Sequence, residues 1–287
     1  MENSFALQGD RISLSDKDFQ RLSTFIESTS GIQMPMSKKS MLTARIQKRL
    51  RLLGMASFTD YVDLVLDPHD PSQELIHFLD IVTTNKTDFF REPNHFSFMT
   101  ETALPNLMQE SGAGTSRPLR IWSAPCSTGE EPYTMAIVIK EFATRVPGYK
   151  AAILGTDLST RALHHAENAI YEMEKADPVP LPLKQKYMLR SKDRSRVRMA
   201  PEIREMVRFQ HLNFMDGEYR ISQQPMDIIF CRNCLIYFDR PTAEKIVNKL
   251  CRHLLPGGYF FIGHSETLNK LNVPVMPVAP TIYQLQK

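Results

Sequence analysis

The sequence predicts a two-part α/β chain: a small bundle of amphipathic helices, then a domain built on a parallel, doubly wound sheet. Three observations carry this reading. Residues 12–84 place apolar side chains at helical spacing and show almost no strand signal. From residue 119 onward, short apolar runs alternate with helical segments, the rhythm of a sheet whose crossovers are helices. The length, 287 residues, suits about two domains, and 42% hydrophobic with 23% charged residues excludes long disorder and fibrous structure.

The elements follow in order. Ser15 with Asp18 three residues on resembles a capping box, and Phe19, Leu22 and Ile26 then recur at helical spacing until Gly31. After Ser37 a second helix carries Leu42, Ile46, Leu50 and Leu53 on one face and stops at Gly54. Ser57 and Asp60 open a third, ended by Pro68; a fourth runs from about Ser72 through Leu75, Phe78, Leu79 and Val82. Residues 85–118 connect this bundle to the sheet. Strands are expected at 119–123, 151–155, 207–209, 226–230 and 259–262, with helices at 132–146, 159–171 and 240–255. Residues 172–205, rich in proline (Pro178, Pro180, Pro182) and then in arginine, break the rhythm and read as an insert.

Ligands of such sheets bind beyond the carboxyl ends of the strands. The loop after the first strand, Ser123-Ala124-Pro125-Cys126-Ser127-Thr128-Gly129-Glu130-Glu131-Pro132, has one glycine where a pyrophosphate cradle uses three. Its two carboxylates, just before a proline expected to begin a helix, would repel phosphates and suit an amine or sulfonium; they would equally complement a helix dipole. Asp157 ends the second strand, where an acid can grip ribose hydroxyls or cap the next helix. Together the two features favour an adenosine-type ligand without a diphosphate, and S-adenosylmethionine fits. Arg232 and Asn233, after the fourth strand, are polar groups at a buried strand end whose partners a cofactor's polar tail could supply. Cys231 and Cys234 have the spacing of half a zinc site, with no second pair at finger-like spacing, so no metal is expected.

Three stretches now combine: Thr83-Thr84-Asn85-Lys86-Thr87-Asp88-Phe89-Phe90-Arg91-Glu92, the 122–133 segment, and Phe230-Cys231-Arg232-Asn233 through Ile236-Tyr237-Phe238. In that order and spacing the chain, from about residue 12 to its end, resembles the chemotaxis receptor methyltransferase (CheR) family. The resemblance implies an N-terminal all-helical receptor-docking domain (12–84) and a linker (85–118) lining the cofactor cleft. A class I S-adenosylmethionine-dependent, Rossmann-like methyltransferase domain (119–287) would follow, with a small β-subdomain inserted at about 172–205. It implies methyl transfer from S-adenosylmethionine to receptor glutamates, giving glutamyl methyl esters and S-adenosylhomocysteine. By motif position Asn85, Thr87 and Arg91 contact the cofactor; Glu131 meets its methionine end, with a contact from Glu130 left open; Asp157 meets the ribose. Asn213 and Phe214 lie beside the adenine, and Arg232 and Asn233 line the pocket. Arg91 and Tyr237 are the expected catalytic pair. Cys234 departs from the family, where a plain aliphatic is usual.

Charge and composition limit the partners. The balance of 35 basic and 32 acidic residues hides two basic stretches: six cations and no acid at 38–51, and nine cations against three acids at 184–208. The first is the expected docking face for acidic cytoplasmic domains of transmembrane chemotaxis receptors. It holds no interleaved aromatics, and no Asn-Pro-Pro-Tyr motif occurs, which speaks against an RNA methyltransferase; the intact motif set speaks against a non-catalytic adaptor. Some family members hold a C-terminal receptor pentapeptide in the β-subdomain. Here residues 189–198 lack glycine, so no requirement for that pentapeptide is expected. The first ten residues lack a basic and apolar leader, no run spans a bilayer, and four cysteines are too few for a disulfide scaffold. The expectation is a cytoplasmic monomer that neither inserts into membranes nor binds nucleic acid.

Overall fold

A computed structural model describes residues 13–69, 72–221 and 225–286. The expectation drawn from the first ten residues, and the domain start at residue 12, lie outside the described residues. The chain divides into two compact units, at Val82 and Thr83. The first holds α1 (Asp16–Ser30), a 3-10 turn (Met36–Lys38), α2 (Lys39–Leu53), α3 (Phe58–Leu66) and α4 (Glu74–Val82). The Ser15 hydroxyl accepts from Asp18 N and donates to its carboxylate, and α1 and α2 end in left-handed Gly31 and Gly54. Phe19, Leu22, Ile26, Leu42, Ile46, Leu50, Tyr61, Val65 and Phe78 form the core. Leu53, expected on that face, is 39% exposed because it falls in the last turn before the cap.

Buried polar groups crosslink this bundle. Arg49 gives a two-pronged ion pair to Glu74 (2.8 and 2.7 Å), whose Oε1 also accepts from Tyr61 Oη at 2.9 Å. Arg45 donates to the carbonyls of Ile81 (2.8 Å) and Val82 (2.7 Å), filling acceptors at the end of α4 that no helical N–H reaches. Two cations expected on a docking face are therefore consumed internally.

The second unit begins with α5 (Pro93–Phe98), a π-helical turn (Met99–Ala103) and α6 (Leu104–Ser111), one continuous helical run inside the stretch expected only to connect. It packs Phe96, Met99, Leu104 and Leu107 into the main core. Then come β1 (Leu119–Ser123), α7 (Glu130–Ala143), β2 (Ala151–Asp157) and α8 (Thr160–Asn168). A small region follows: β3 (Ile170–Glu172), α9 (Leu181–Tyr187), β4 (Met188–Arg190), β5 (Arg196–Met199) and α10 (Pro201–Arg204). The chain closes with β6 (Val207–His211), β7 (Met226–Cys231), α11 (Arg240–Cys251), β8 (Leu254–Ile262), β9 (Val275–Ala279) and β10 (Ile282–Leu285).

The main sheet runs β6-β2-β1-β7-β8-β10-β9, and β3-β5-β4 is a separate antiparallel sheet. Five main strands are parallel; β10 and β9 add antiparallel at one edge. Strand order reverses beside β1, so the carboxyl ends of β1, β2 and β7 frame the crevice in which such sheets bind ligands.

The opposite end of the sheet is locked by charge. Asp227, fully buried, accepts from Arg117 Nη1 (2.9 Å), Arg117 Nη2 (2.5 Å) and Arg120 N (2.9 Å). Arg117→Ala would leave that carboxylate buried without its cation, which costs roughly 3 kcal/mol. Urea unfolding of this variant should show a lower midpoint with an unchanged slope.

Candidate functional site

Gly129 starts the site. Its φ of 96° turns the chain from β1 into α7, and a Cβ there would stand 2.8 Å from Ala166 Cβ and 2.9 Å from Tyr171 Oη. Helix α7 consequently starts at Glu130, two residues before the expected Pro132; a proline inside the first turn breaks no helical hydrogen bond. The two acids then diverge. Glu130 turns back to accept from Thr128 Oγ1 at 2.6 Å, whereas Glu131 faces the strand ends, accepting from Ser123 Oγ (2.7 Å) and Arg232 Nη1 (2.7 Å).

Arg232, just beyond β7, is 5% exposed, and its partners come from the protein. Besides Glu131, its Nη2 donates to Glu92 Oε2 (2.8 Å) and to the Arg91 carbonyl (2.7 Å). Its guanidinium lies 5.8 Å from the ring centres of Phe96 and Phe230. Protein groups meet both Nη atoms, two carboxylates among them because one guanidinium presents donors on several edges, while the buried Nε has no hydrogen-bond partner among the described residues. Burial would raise the Glu92 carboxyl, but the hydrogen bond and charge of Arg232, with Asn233 and the His264 N–H adding, hold it at about 2. Burial raises Glu131, with Arg232 and Ser123 pulling the other way.

The segment 83–92 is tied to this second unit at several points. Asn85 O accepts from Ser127 Oγ (3.1 Å), Thr87 O from Lys175 Nζ (3.1 Å), and Phe90 N–H reaches Thr134 Oγ1 (3.1 Å). Phe89 is buried edge-on against Tyr171 at 5.0 Å. Arg91 is partly exposed and donates to Lys86 O at 3.1 Å.

The remaining expected residues fall on neighbouring loops. Asp157, at the end of β2, accepts from Ser127 N and Ser159 N, both at 2.8 Å, so its carboxylate shapes the β1 loop; Ser159 itself caps α8. Leu212 N–H donates to Asp157 O, which brings Asn213 and Phe214 alongside. Asn213 Oδ1 accepts from Met215 N, and Phe214 packs edge-on to Phe238 at 6.2 Å. Tyr237 closes a 3-10 turn (Leu235–Tyr237) and is partly exposed. Hydrogen bonds thus join Arg91 and Glu131 to Arg232 directly, Asn233 to Arg232 through Glu92, and Asn85 with Asp157 through Ser127. Tyr237 shares the loop of Arg232.

Two acids escaped sequence reasoning. Glu92 accepts from Arg232, Asn233 Nδ2 (3.2 Å) and His264 N (3.2 Å). Glu266 accepts from the backbone N–H groups of Asn233 (2.8 Å), Leu235 (2.7 Å) and Gly263 (2.6 Å). For Glu266 the available signal was an acid just after a strand with no helix for it to cap. Glu92, His95 and His264 also bring three potential metal ligands within 4.8 Å. Arg232 already occupies Glu92 Oε2, so a cation at this cluster would face a guanidinium across the same oxygen. Cys231 and Cys234 are buried thiols with sulfurs 3.4 Å apart.

Comparison with known proteins identifies the relatives. Residues 17–83 match "CheR methyltransferase, all-alpha domain" and residues 85–282 match "CheR methyltransferase, SAM binding domain". The chain is 36% identical over 280 residues to a chemotaxis protein methyltransferase of Borreliella burgdorferi, covering 96% of each. It is 36% identical to chemotaxis protein methyltransferase 2 of Pseudomonas aeruginosa, covering 93% of this chain and 92% of that one. With the Escherichia coli chemotaxis protein methyltransferase it shares 34%, over 97% and 94% respectively. The chain belongs to the CheR methyltransferase family.

His95 supplies a pH test. Burial, then the charge of Arg232, lowers it to about 3 against the pull of Glu92. The folded protein keeps it neutral while the unfolded chain takes up a proton below about 6.5, so this term is lost as pH falls from about 6.5 toward 3. Between about 6.5 and 4.5 Glu92 stays ionised in both states and adds nothing. Melting temperature should therefore fall more steeply across that window in the native protein than in His95→Gln.

Proposed function

We propose that this chain transfers the methyl group of S-adenosylmethionine to glutamate carboxylates on the cytoplasmic domains of transmembrane chemotaxis receptors. The products are glutamyl methyl esters and S-adenosylhomocysteine. The observation that carries the reading is Arg91, presented beside the Glu131–Arg232 pair at the carboxyl edge of the sheet, in a chain of the CheR family. Among the described residues no helix is long and apolar enough to cross a membrane, in keeping with an enzyme that meets its receptors from the cytoplasm.

The residues suit this cofactor. Each Glu131 oxygen has a single described donor, leaving lone pairs for the ammonium of the methionine end. Asp157 ends β2 at the position suited to ribose hydroxyls, with Asn213 and Phe214 beside it for the adenine and Asn85 and Thr87 on the facing segment. When bound, the cofactor supplies an electrophilic methyl on a sulfonium. The substrate glutamate is already ionised at pH 7, so no general base is needed. That methyl would be open to in-line attack by the carboxylate oxygen, with S-adenosylhomocysteine as the leaving group. The work left to the protein is alignment and exclusion of water. Arg91 orients the carboxylate through its planar fork, Tyr237 helps to aim it, and the Glu131–Arg232–Glu92 array keeps Arg232 from competing for it.

Docking falls to the first unit. Since Arg45 and Arg49 are engaged within the bundle, and Lys39 pairs with Asp16, the exposed Lys48 and Arg51 are the better carriers of attraction to an acidic receptor. In the small sheet, Asp193 at the β4–β5 turn accepts from Ser191 Oγ (2.5 Å), Ser195 N (3.1 Å) and Ser195 Oγ (2.9 Å). Those bonds hold its carboxyl at about 2, so an anion stands at the tip of the loop that would meet a peptide carboxylate. The lack of glycine in residues 189–198 supports independence from a C-terminal receptor pentapeptide, with Arg190, Lys192, Arg194, Arg196 and Arg198 leaving room for only weak, salt-sensitive attraction. Nothing in the reading requires an oligomer.

Incubation with methyl-labelled cofactor and receptor-bearing membranes should give alkali-labile label on protein; label on RNA, or none, would refute the assignment. In the same assay, reversing Lys48 and Arg51 to glutamate should slow methylation at least several-fold at low salt and much less at high salt, with cofactor affinity unchanged. Equal rates at low ionic strength would remove α2 as the docking face. Calorimetry with free pentapeptide should give weak, salt-sensitive heats; a saturable low-micromolar isotherm would contradict independence.

A further inference from the structure

Arg91 lies between two non-glycine residues in the left-handed region, Phe90 at φ 55° and Glu92 at φ 57°. Side chains rarely adopt this conformation, and it persists where surrounding contacts over-determine it. Phe90 is fixed by its N–H to Thr134 and by an edge-on contact with Phe96 at 6.0 Å. Glu92 is the N-cap of α5, yet its carboxylate makes no capping hydrogen bond. It turns instead toward two strand-end loops, where Arg232 Nη2, Asn233 Nδ2 and His264 N all donate to it. The same Arg232 Nη2 holds the Arg91 carbonyl at 2.7 Å. The Arg91 carbonyl and the Glu92 carboxylate are thus held by one guanidinium nitrogen, and the Glu92 side chain is 11% exposed.

We propose that Glu92 is a positioning residue for methyl transfer: by clamping the kink at 90–92 to the loops after β7 and β8, it sets the direction in which Arg91 meets the substrate carboxylate. The proposal rests on the role assigned above to Arg91. Its effect belongs in turnover and not in cofactor affinity, since Glu131 holds Arg232 Nη1 independently of Glu92.

A double-mutant cycle tests it, with kcat, S-adenosylhomocysteine affinity by calorimetry and melting temperature measured for each protein. Glu92→Gln should lower kcat at least tenfold and leave affinity within about threefold. In an Arg91→Ala background the same change should cost less than twofold, because the group it positions is gone. Glu92→Gly, which relaxes the left-handed backbone while removing the carboxylate, should be as slow as Glu92→Gln and covers the case in which the glutamine variant fails to fold. A Glu92→Gln or Glu92→Gly enzyme within twofold of native kcat overturns the proposal, as do losses that multiply in the double variant or appear wholly in cofactor affinity. If Arg91→Ala itself retains full turnover, the role of Arg91 falls and the proposal with it; slow Arg91→Ala beside fast Glu92→Gln removes the proposal alone.

Discussion

A guanidinium buried between two carboxylates governs the carboxyl edge of this sheet. Arg232 sits buried at the end of β7, where both Nη atoms are met by protein groups and Nε is left without a hydrogen-bond partner among the described residues. Glu131 arrives from the start of α7, and Glu92 and the Arg91 carbonyl from the segment before α5. These partners lie 101, 140 and 141 positions away in the chain. Satisfying one buried cation therefore fixes where a helix begins, how the opening segment of the second unit crosses the sheet, and which way Arg91 faces.

The charge pattern of the two sheet ends separates stability from chemistry. At the amino end, Asp227 meets one arginine and one backbone N–H, a closed group with no surplus charge. At the carboxyl end, two acids share one guanidinium, and Asp157 adds a third acid spent largely on backbone N–H groups. The balance there tilts toward anion, which disfavours a phosphate and favours an ammonium or sulfonium. A pyrophosphate cradle is not needed beside such a ligand. The loop after β1 accordingly uses a single left-handed glycine where a tight approach to Ala166 and Tyr171 demands it.

The bundle was legible because its helices are amphipathic and carry their own start signals, Ser15 and Ser57, and stop signals, Gly31 and Gly54. The parallel strands β1, β2, β7 and β8 were legible because each holds a short, largely buried apolar run, whereas edge strand β6 is polar and only partly buried. Strands β9 and β10 were not, since Val275–Ala279 contains Pro277 and exposes Met276 and Val278, so neither alternation nor a continuous apolar run marks it. Residue types at the site could be read from the motifs, but their pairing could not. That Arg49 would be taken up by Glu74 and Arg232 by Glu92 depends on contacts 25 and 140 positions apart, which local pattern does not encode.

Among the described residues nine non-glycine residues have positive φ, and four of them gather at this edge of the sheet. Phe90, Glu92, Ser127 and Asn233 all have positive φ without being glycine, and they lie on the three segments that the hydrogen bonds of Arg232, Asp157 and Ser127 tie together. Each is held from outside its own segment: Phe90 by Thr134, Ser127 by Asp157, Asn233 by Glu266, and Glu92 by Arg232. A fold under no functional demand would relax such turns by glycine substitution or a longer loop. Retaining bulky side chains in left-handed positions makes sense where direction matters more than local comfort. A methyl transfer that needs no general base has little besides direction to gain from the protein.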